Sequence, residues 1–312
     1  MIETLGGSSL DFFKYSADKR FFFDSRREGV ISYGVSGGTA VALGDPVVPD
    51  ADVLGRIVDE WLAFGRRNGW RLAFHQVSPR WLCAYSNADL AAVKIGEEAV
   101  VNLDTFSISG NHMKAFRSAI NRLTRDGYTV RSYKPPLDDE LLEALREVSD
   151  IWLHLGRRRE RRFTLGQFDE EYLRECRVFT VEDGEGKVYA FSNLIFDGVP
   201  GEATIDLMRR REEPDGAMDL LFVRMFEALR ADGYRSFSLG MAPLANVGTG
   251  EHSRVIERAL RQLYERGDRL FSYRGLRAYK EKFHPDWEPR FTVYETEAHL
   301  PFIVVAIGRL TE

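Results

Sequence analysis

Residues 203–211, ATIDLMRRR, set one acid, Asp206, among small and apolar neighbours, with Arg209 three positions further on. Side chains alternate faces along a strand, so Ile205 and Leu207 point one way and Asp206 the other. A carboxylate in that setting is costly to bury unless it is paired. Arg209 is the near partner, yet in a regular strand it faces away, so a pair requires a bulge or the strand's end. A structural ion pair and an acid kept for chemistry both satisfy the pattern. A second stretch, YRGLRAYKEKFHPDWEPRF at 273–291, sets Tyr273, Tyr279, Phe283, Trp287 and Phe291 among Arg274, Arg277, Lys280, Lys282 and Arg290. Such interleaving suits stacked bases and phosphates, and equally an ordinary packed strand with cations at its edge. The six histidines show no metal-ligand spacing, no G-x-S-x-G elbow occurs, and Cys83 and Cys176 sit in no catalytic frame. This inventory implies no metal and favours direct group transfer over a covalent enzyme intermediate.

The elements that position these residues show a repeated order. GWRLAFHQVSP (69–79) and GYRSFSLGMAP (233–243) have the same length, the same leading Gly-aromatic-Arg and the same closing Pro. Before the first lie GVISYGVSGG, whose Gly pair signals a hairpin, the strand TAVALGDPV and the helical periodicity of DVLGRIVDEWLAFGRRNG. Before the second lie KVYAFSNLIF, the turn DGVPG, the strand EATIDLM and the helix MDLLFVRMFEALRADG. Each half therefore reads as strand, turn, strand, loop, helix, strand, the layout of an acetyltransferase-like fold. The expected class is α/β, with mixed sheets and two duplicated units joined by a helix. The units span 1–108 and 128–312, and the linking segment 109–127 carries SGNHMKAFRSAINRLTRDG. In that segment Lys114, Arg117, Arg122 and Arg125 share one side, and Met113, Phe116, Ile120 and Leu123 another.

With 43 basic and 48 acidic residues in 312, the net charge of −5 gives no overall affinity for a polyanion. Any such affinity must come from local patches. The basic helix is one; GRRRERRF (156–163), five arginines around Glu160, is another, read by default as a solvated loop and otherwise as a contact for RNA or anionic lipid. Two unrelated cysteines fit a reducing, cytoplasmic compartment. The N-terminus lacks a signal peptide, and the longest apolar run, LPFIVVAIG at 300–308, is half a membrane span. The loop RRREEPDGAMD, with one Gly among acids, is poorly suited to a coenzyme A pyrophosphate, so no cofactor is expected.

ALGDP (42–46), KAFRSAINR (114–122), RFTLGQFDEEYL (162–173), IDLMRRR (205–211), DLLFVRMFEALRADGYRSFSLGMAPL (219–244) and GLRAYKEKFHPDWEPRF (275–291) together resemble one family. It is the C-terminal catalytic domain of bacterial aminoacyl-phosphatidylglycerol synthases, the multiple peptide resistance factor proteins, and the likeness runs from about residue 20 to 295. The resemblance implies transfer of an aminoacyl group from aminoacyl-tRNA to a hydroxyl of phosphatidylglycerol, at the inner face of the cell membrane. It puts Asp206, Arg209 and Lys280 at catalytic positions, and Glu160 and Lys282 in the substrate site. Asp206 would take the acceptor's proton and Lys280 would stabilise developing negative charge. Arg209 would hold Asp206 ionised or bind the lipid phosphate, and Glu160 would meet an ammonium of the aminoacyl group. Lys114, Arg117, Arg122 and Arg125 would contact tRNA. Family members usually carry an N-terminal membrane region, and none is present in these residues. A peptide amine or another lipid as acceptor, a coenzyme A-dependent N-acyltransferase and a non-catalytic tRNA- or lipid-binding module stand as alternatives. The amino acid is left open among lysine, alanine and arginine.

Overall fold

The Gly37-Gly38 pair forms the expected hairpin turn in the computed structural model, both residues lying in the left-handed region (φ 56° and 71°). The structure describes residues 1–111, 113–155, 159–195, 198–248 and 271–312, apart from the side chains of residues 115 and 271–274. The strands are β1 (Arg20–Phe23), β2 (Val30–Ser36), β3 (Thr39–Leu43), β4 (Arg71–Val77), β5 (Ala91–Asn102), β6 (Thr129–Tyr133), β7 (Val178–Glu182), β8 (Val188–Ile195), β9 (Glu202–Arg210), β10 (Ser236–Pro243) and β11 (Asp286–Tyr294). The described helices are α1 (Ile2–Leu5), α2 (Ala51–Asn68), α3 (Leu82–Asn87), α4 (Lys114–Arg125), α5 (Asp139–His154), α6 (Glu170–Arg174), α7 (Ala217–Ala231), α8 (Phe271–Glu281) and α9 (Leu300–Thr311). Among them no helix is long and apolar enough to cross a membrane.

Local chemistry sets the boundaries. The Asp50 carboxylate accepts from the N–H groups of Asp52 and Val53 to start α2, and Gly69 ends it with φ 65°. The chain then returns as β4, parallel to β3. In the second half β8 and β9 are antiparallel, α7 follows, and β10 returns parallel to β9. The element order read from the sequence is thus present in both halves, giving a mixed α/β architecture.

The strands join in one eleven-stranded sheet, ordered β1-β2-β3-β4-β11-β5-β10-β9-β8-β7-β6. β5 leaves the first half to pair with β10, and β11 crosses back to lie between β4 and β5, antiparallel to both. Sheet pairing therefore runs through the sequence division at 109–127, and pulling the halves apart would break three ladders, β11 with β4 and with β5, and β5 with β10. The cores lie on the two faces. Ile205 and Met208 of β9 pack with Phe222 and Phe226 of α7, while Leu207 packs with Leu142, Leu145 and Val148 of α5. Burying a side chain of this size contributes about 1.5–3 kcal/mol, so each helix is held chiefly by its apolar stripe.

Candidate active site

β9 does not run straight past Asp206. Its pairing with β8 shifts between Ser192↔Met208 and Leu194↔Ile205, so Asn193 stands opposite both Asp206 and Leu207. A bulge of this kind brings consecutive side chains toward one face. Asp206, Leu207 and Arg209 are buried on the α5 side. The backbone groups the ladder would have paired are met by side chains. Asn193 Oδ1 accepts from the Leu207 N–H at 2.9 Å, and the Ser192 hydroxyl donates to the Leu207 carbonyl at 2.8 Å.

β9 bulges, yet the Asp206–Arg209 pair for which the sequence would have required a bulge or the strand's end does not form. Arg209 instead donates through Nη1 and Nη2 to the two Glu160 oxygens, at 2.8 and 2.6 Å. Nη1 also donates to the Ser149 hydroxyl, and the guanidinium lies 5.0 Å from the Trp152 ring. Ser149 and Trp152 belong to the last turns of α5, so that helix aims the arginine at Glu160. This bidentate geometry is the stronger pairing for a planar guanidinium.

Asp206 has a different shell. Its Oδ1 accepts from the Gly166 N–H at 2.7 Å and its Oδ2 from the Tyr172 hydroxyl at 3.0 Å. Asn193 Nδ2 in turn donates to the Tyr172 oxygen at 2.5 Å. The Asp169 carboxylate caps α6 by accepting from the Tyr172 N–H at 3.0 Å, which fixes where that tyrosine starts. Burial pushes the Asp206 carboxyl from 3.8 up to about 6; Gly166, Tyr172 and Arg209 pull it down and Glu160 pushes it up. Burial likewise raises the Tyr172 phenol, which stays a neutral donor. A Cβ on Gly166 would stand 1.9 Å from Asp206 Oδ2. Gly166→Ala is therefore expected to displace the carboxylate and lower any activity that depends on it about 10²-fold, measured as kcat/KM beside a circular-dichroism spectrum that stays unchanged.

Lys280 reaches the sheet from α8. Its ammonium donates to the carbonyls of Gly240 at 2.8 Å and Met241 at 2.9 Å. These carbonyls lie in a second bulge, between Ser238↔Val100 and Met241↔Glu98 of the β10–β5 ladder, where Gly240 takes φ 75°. Burial lowers the Lys280 ammonium to about 7, with the Glu98 carboxylate pulling it back up. The parallel β9–β10 register ends at Thr204↔Ser238. Asp206 and Gly240 each follow two residues beyond that end, on the two sides of the split. Asp206 and Lys280 make no direct hydrogen bond with each other; each lies close to the end of this register, Asp206 on β9 and Lys280 through the Gly240 carbonyl of β10.

The other expected residues lie elsewhere. Lys282 pairs with Asp219 in the first turn of α7 at 2.9 Å and sits 5.9 Å from the Phe116 ring of α4, so it does not join Asp206. On α4, Lys114, Arg122 and Arg125 are exposed, whereas half-buried Arg117 donates to the carbonyls of Ile108 and Gly110 at 2.6 and 3.1 Å. Arg117 thus ties down the preceding loop. Of the 156–163 run, residues 156–158 lie outside the described residues; Arg159, Arg161 and Arg162 are exposed. The aromatic–basic stretch divides between α8 and β11. Phe283 packs on Phe222, Arg277 pairs with Glu97, and Arg290 pairs with Glu98. Those side chains are packed rather than offered to bases; the side chains of Tyr273 and Arg274 lie outside the described residues.

Sequence reading missed Gly166, Tyr172, Asn193 and Ser149. Gly166 and Tyr172 fall inside RFTLGQFDEEYL, but no periodicity marks either, because each matters only through Asp206 some 40 and 34 positions away.

A family model described as phosphatidylglycerol lysyltransferase, C-terminal, matches residues 2–294. A phosphatidylglycerol lysyltransferase of Bacillus subtilis (strain 168) is 35% identical over 306 residues, 98% of this chain and 35% of that protein. The structure of L-PGS from Bacillus licheniformis has a TM-score of 0.87 at 36% identity, covering 99% of this chain and 94% of that one. The C-terminal domain of a putative lysylphosphatidylglycerol synthetase from Agrobacterium fabrum has a TM-score of 0.85 at 34% identity, with the same coverages of 99% and 94%. This chain spans about a third of the length of the curated relatives it matches, with 35% and 37% of the first two covered. With likeness of this extent in both sequence and fold, the chain belongs to the family of phosphatidylglycerol lysyltransferase C-terminal domains.

Proposed function

We propose that this chain moves an aminoacyl group, lysine before alanine or arginine, from aminoacyl-tRNA to a hydroxyl of phosphatidylglycerol at a membrane surface. The relatives' names support the lysyl group and the lipid. The observation that carries the chemistry is the buried Asp206 carboxylate, held by the Gly166 N–H and the Tyr172 hydroxyl just beyond the end of the β9–β10 ladder.

The donor is an activated ester, so positioning and charge control supply most of the catalysis. The acceptor hydroxyl attacks the aminoacyl carbonyl, a new ester C–O bond forms, and the bond to the tRNA ribose breaks. Asp206 takes the hydroxyl proton, which ends on the departing ribose oxygen. Lys280 has three N–H donors, two of them held by Gly240 and Met241; the third meets negative charge as it develops on oxygen. Arg209 acts through Glu160, which is 28% exposed and has lone pairs left for a substrate ammonium.

Coenzyme A-dependent transfer has less support. In the loop after β9, Arg210 donates to the carbonyls of Arg211 and Glu212, and Arg211 pairs with Glu147, so neither is free for a pyrophosphate. The test incubates the purified chain with labelled lysyl-tRNA and either phosphatidylglycerol vesicles or a peptide amine. Label is expected in phosphatidylglycerol; label in the peptide alone would make the acceptor an amine.

The exposed cations of α4 support the tRNA donor. Lys114→Ala together with Arg125→Ala is expected to reduce the slope of log Kd against log salt by roughly 1.4, at about 0.7 for each phosphate no longer neutralised. A tRNA affinity independent of salt would exclude α4 as the binding surface.

A further inference from the structure

α9 is apolar on every side yet only half covered. Leu300, Ile303 and Ala306 are buried at 7%, 1% and 2% exposure, against β2, β3 and β4. Phe302, Val304 and Val305 are exposed at 48%, 56% and 52%, and Pro301 and Gly308 complete the outward arc. A helix in water normally turns polar residues outward, and Arg309 and the terminal Glu312 are the charges on this arc. The neighbouring edge strand adds Phe21 and Phe23, exposed at 44% and 48%. Phe22, between them, packs on Trp61 of α2, so Phe21 and Phe23 project from the opposite face, where α9 lies.

The strands beneath this surface and α9 itself carry arginines and no acid, the acids nearest in sequence being Glu295 and Glu297 before α9 and Glu312 after it. Residues 31–44, 61–77 and 300–311, which form β2, β3, the last half of α2, β4 and α9, contain Arg66, Arg67, Arg71 and Arg309 and no acid. The Arg71 guanidinium lies 3.9 Å over the Phe302 ring. A Cβ on Gly37 would stand 3.5 Å from Arg309 Nη1, and one on Gly38 3.7 Å from Arg71 Nη1, so both cations gather at the β2–β3 turn. An apolar arc bordered by Arg71 and Arg309 complements an anionic bilayer, which takes apolar side chains below its headgroups and cations among its phosphates.

We propose that the outward face of α9, with Phe302, Val304 and Val305 inserted and Arg71 and Arg309 at the headgroups, is the surface by which this chain docks on anionic lipid. The proposal rests on the lipid-acceptor reading above and names the surface that brings the acceptor within reach. It also gives the exposed apolar side chains of α9 an apolar partner.

The test is flotation of the full chain with vesicles of phosphatidylglycerol and phosphatidylcholine, and with phosphatidylcholine alone. Wild type is expected to float with the anionic vesicles, to bind neutral ones at least about tenfold less, and to be released by salt. Val304→Asp with Val305→Asp is expected to reduce partitioning at least about tenfold. Both positions are exposed, so the variant folds, which its melting temperature checks. Lysyl transfer to a short-chain, water-soluble phosphatidylglycerol is expected to be unchanged in the variant, while transfer to vesicles falls with binding. Equal flotation of variant and wild type would overturn the proposal. So would a wild-type dimer that the variant dissociates, which would make the face a contact between copies. Failure of wild type to lysylate even the soluble lipid would instead sink the acceptor reading, with flotation left to judge the surface.

Discussion

Asp206→Asn is expected to lower kcat/KM for lysyl transfer about 10²–10³-fold and to leave the fold at least as stable at neutral pH. The two effects share one cause. Burial lifts this carboxyl from 3.8 to about 6, so holding it ionised in the fold costs about 3 kcal/mol above pH 6. An asparagine of the same shape has no charge to desolvate. Its oxygen still accepts from Gly166, and its amide can donate to the Tyr172 oxygen, reversing that bond. The sign follows from the raised folded value: as pH falls through about 6 toward 4, the folded carboxyl takes up a proton that the unfolded one does not. Wild type therefore regains stability on acidification, and the melting-temperature gap between the two proteins narrows between pH 8 and pH 5. Wild-type transfer by the variant would remove Asp206 from the chemistry. A gap independent of pH would remove the buried-charge account.

Lys280→Met is expected to cost a further 10²–10³ in transfer, and its pH profile separates catalysis from support. Asp206 must be ionised to take a proton and Lys280 protonated to meet an oxyanion. Wild-type kcat/KM is then a narrow bell, rising through about 6 and falling above about 7. In the methionine variant the rising limb persists and the falling limb disappears, read in single turnovers if the residual rate is low. A structural part is expected as well. Two bulge carbonyls lose their donor, at about 1–3 kcal/mol for each left unpaired, partly offset by removing a buried ammonium. If Lys280 only supported the bulge, the loss of rate would track the loss of stability and the alkaline limb would remain.

Much of the fold was legible because its signals are local. Gly37-Gly38 and Gly69 act on the backbone within a few residues, and α2 and α7 are written in apolar periodicity. The bulge in β9 was legible only as a condition on an Asp206–Arg209 pair, and that pair does not form. Which acid the arginine would meet was not legible, because Glu160 is 49 positions away and arrives on a loop. For the same reason YKEKF showed two lysines of one kind, while the structure sends Lys280 to β10 and Lys282 to α7.

By itself, then, the sequence determined the strand pair, helix and returning strand of each half and the residues bearing charge in apolar company, since propensity and patterning depend on near neighbours. The tertiary structure alone decided that β5 and β11 change sides, that β9 and β10 part where Asp206 and Gly240 follow, and that Gly166 and Tyr172 close on the carboxylate. Those choices come from the burial of apolar faces over long sequence separations, which fixes where each polar group must find its partner.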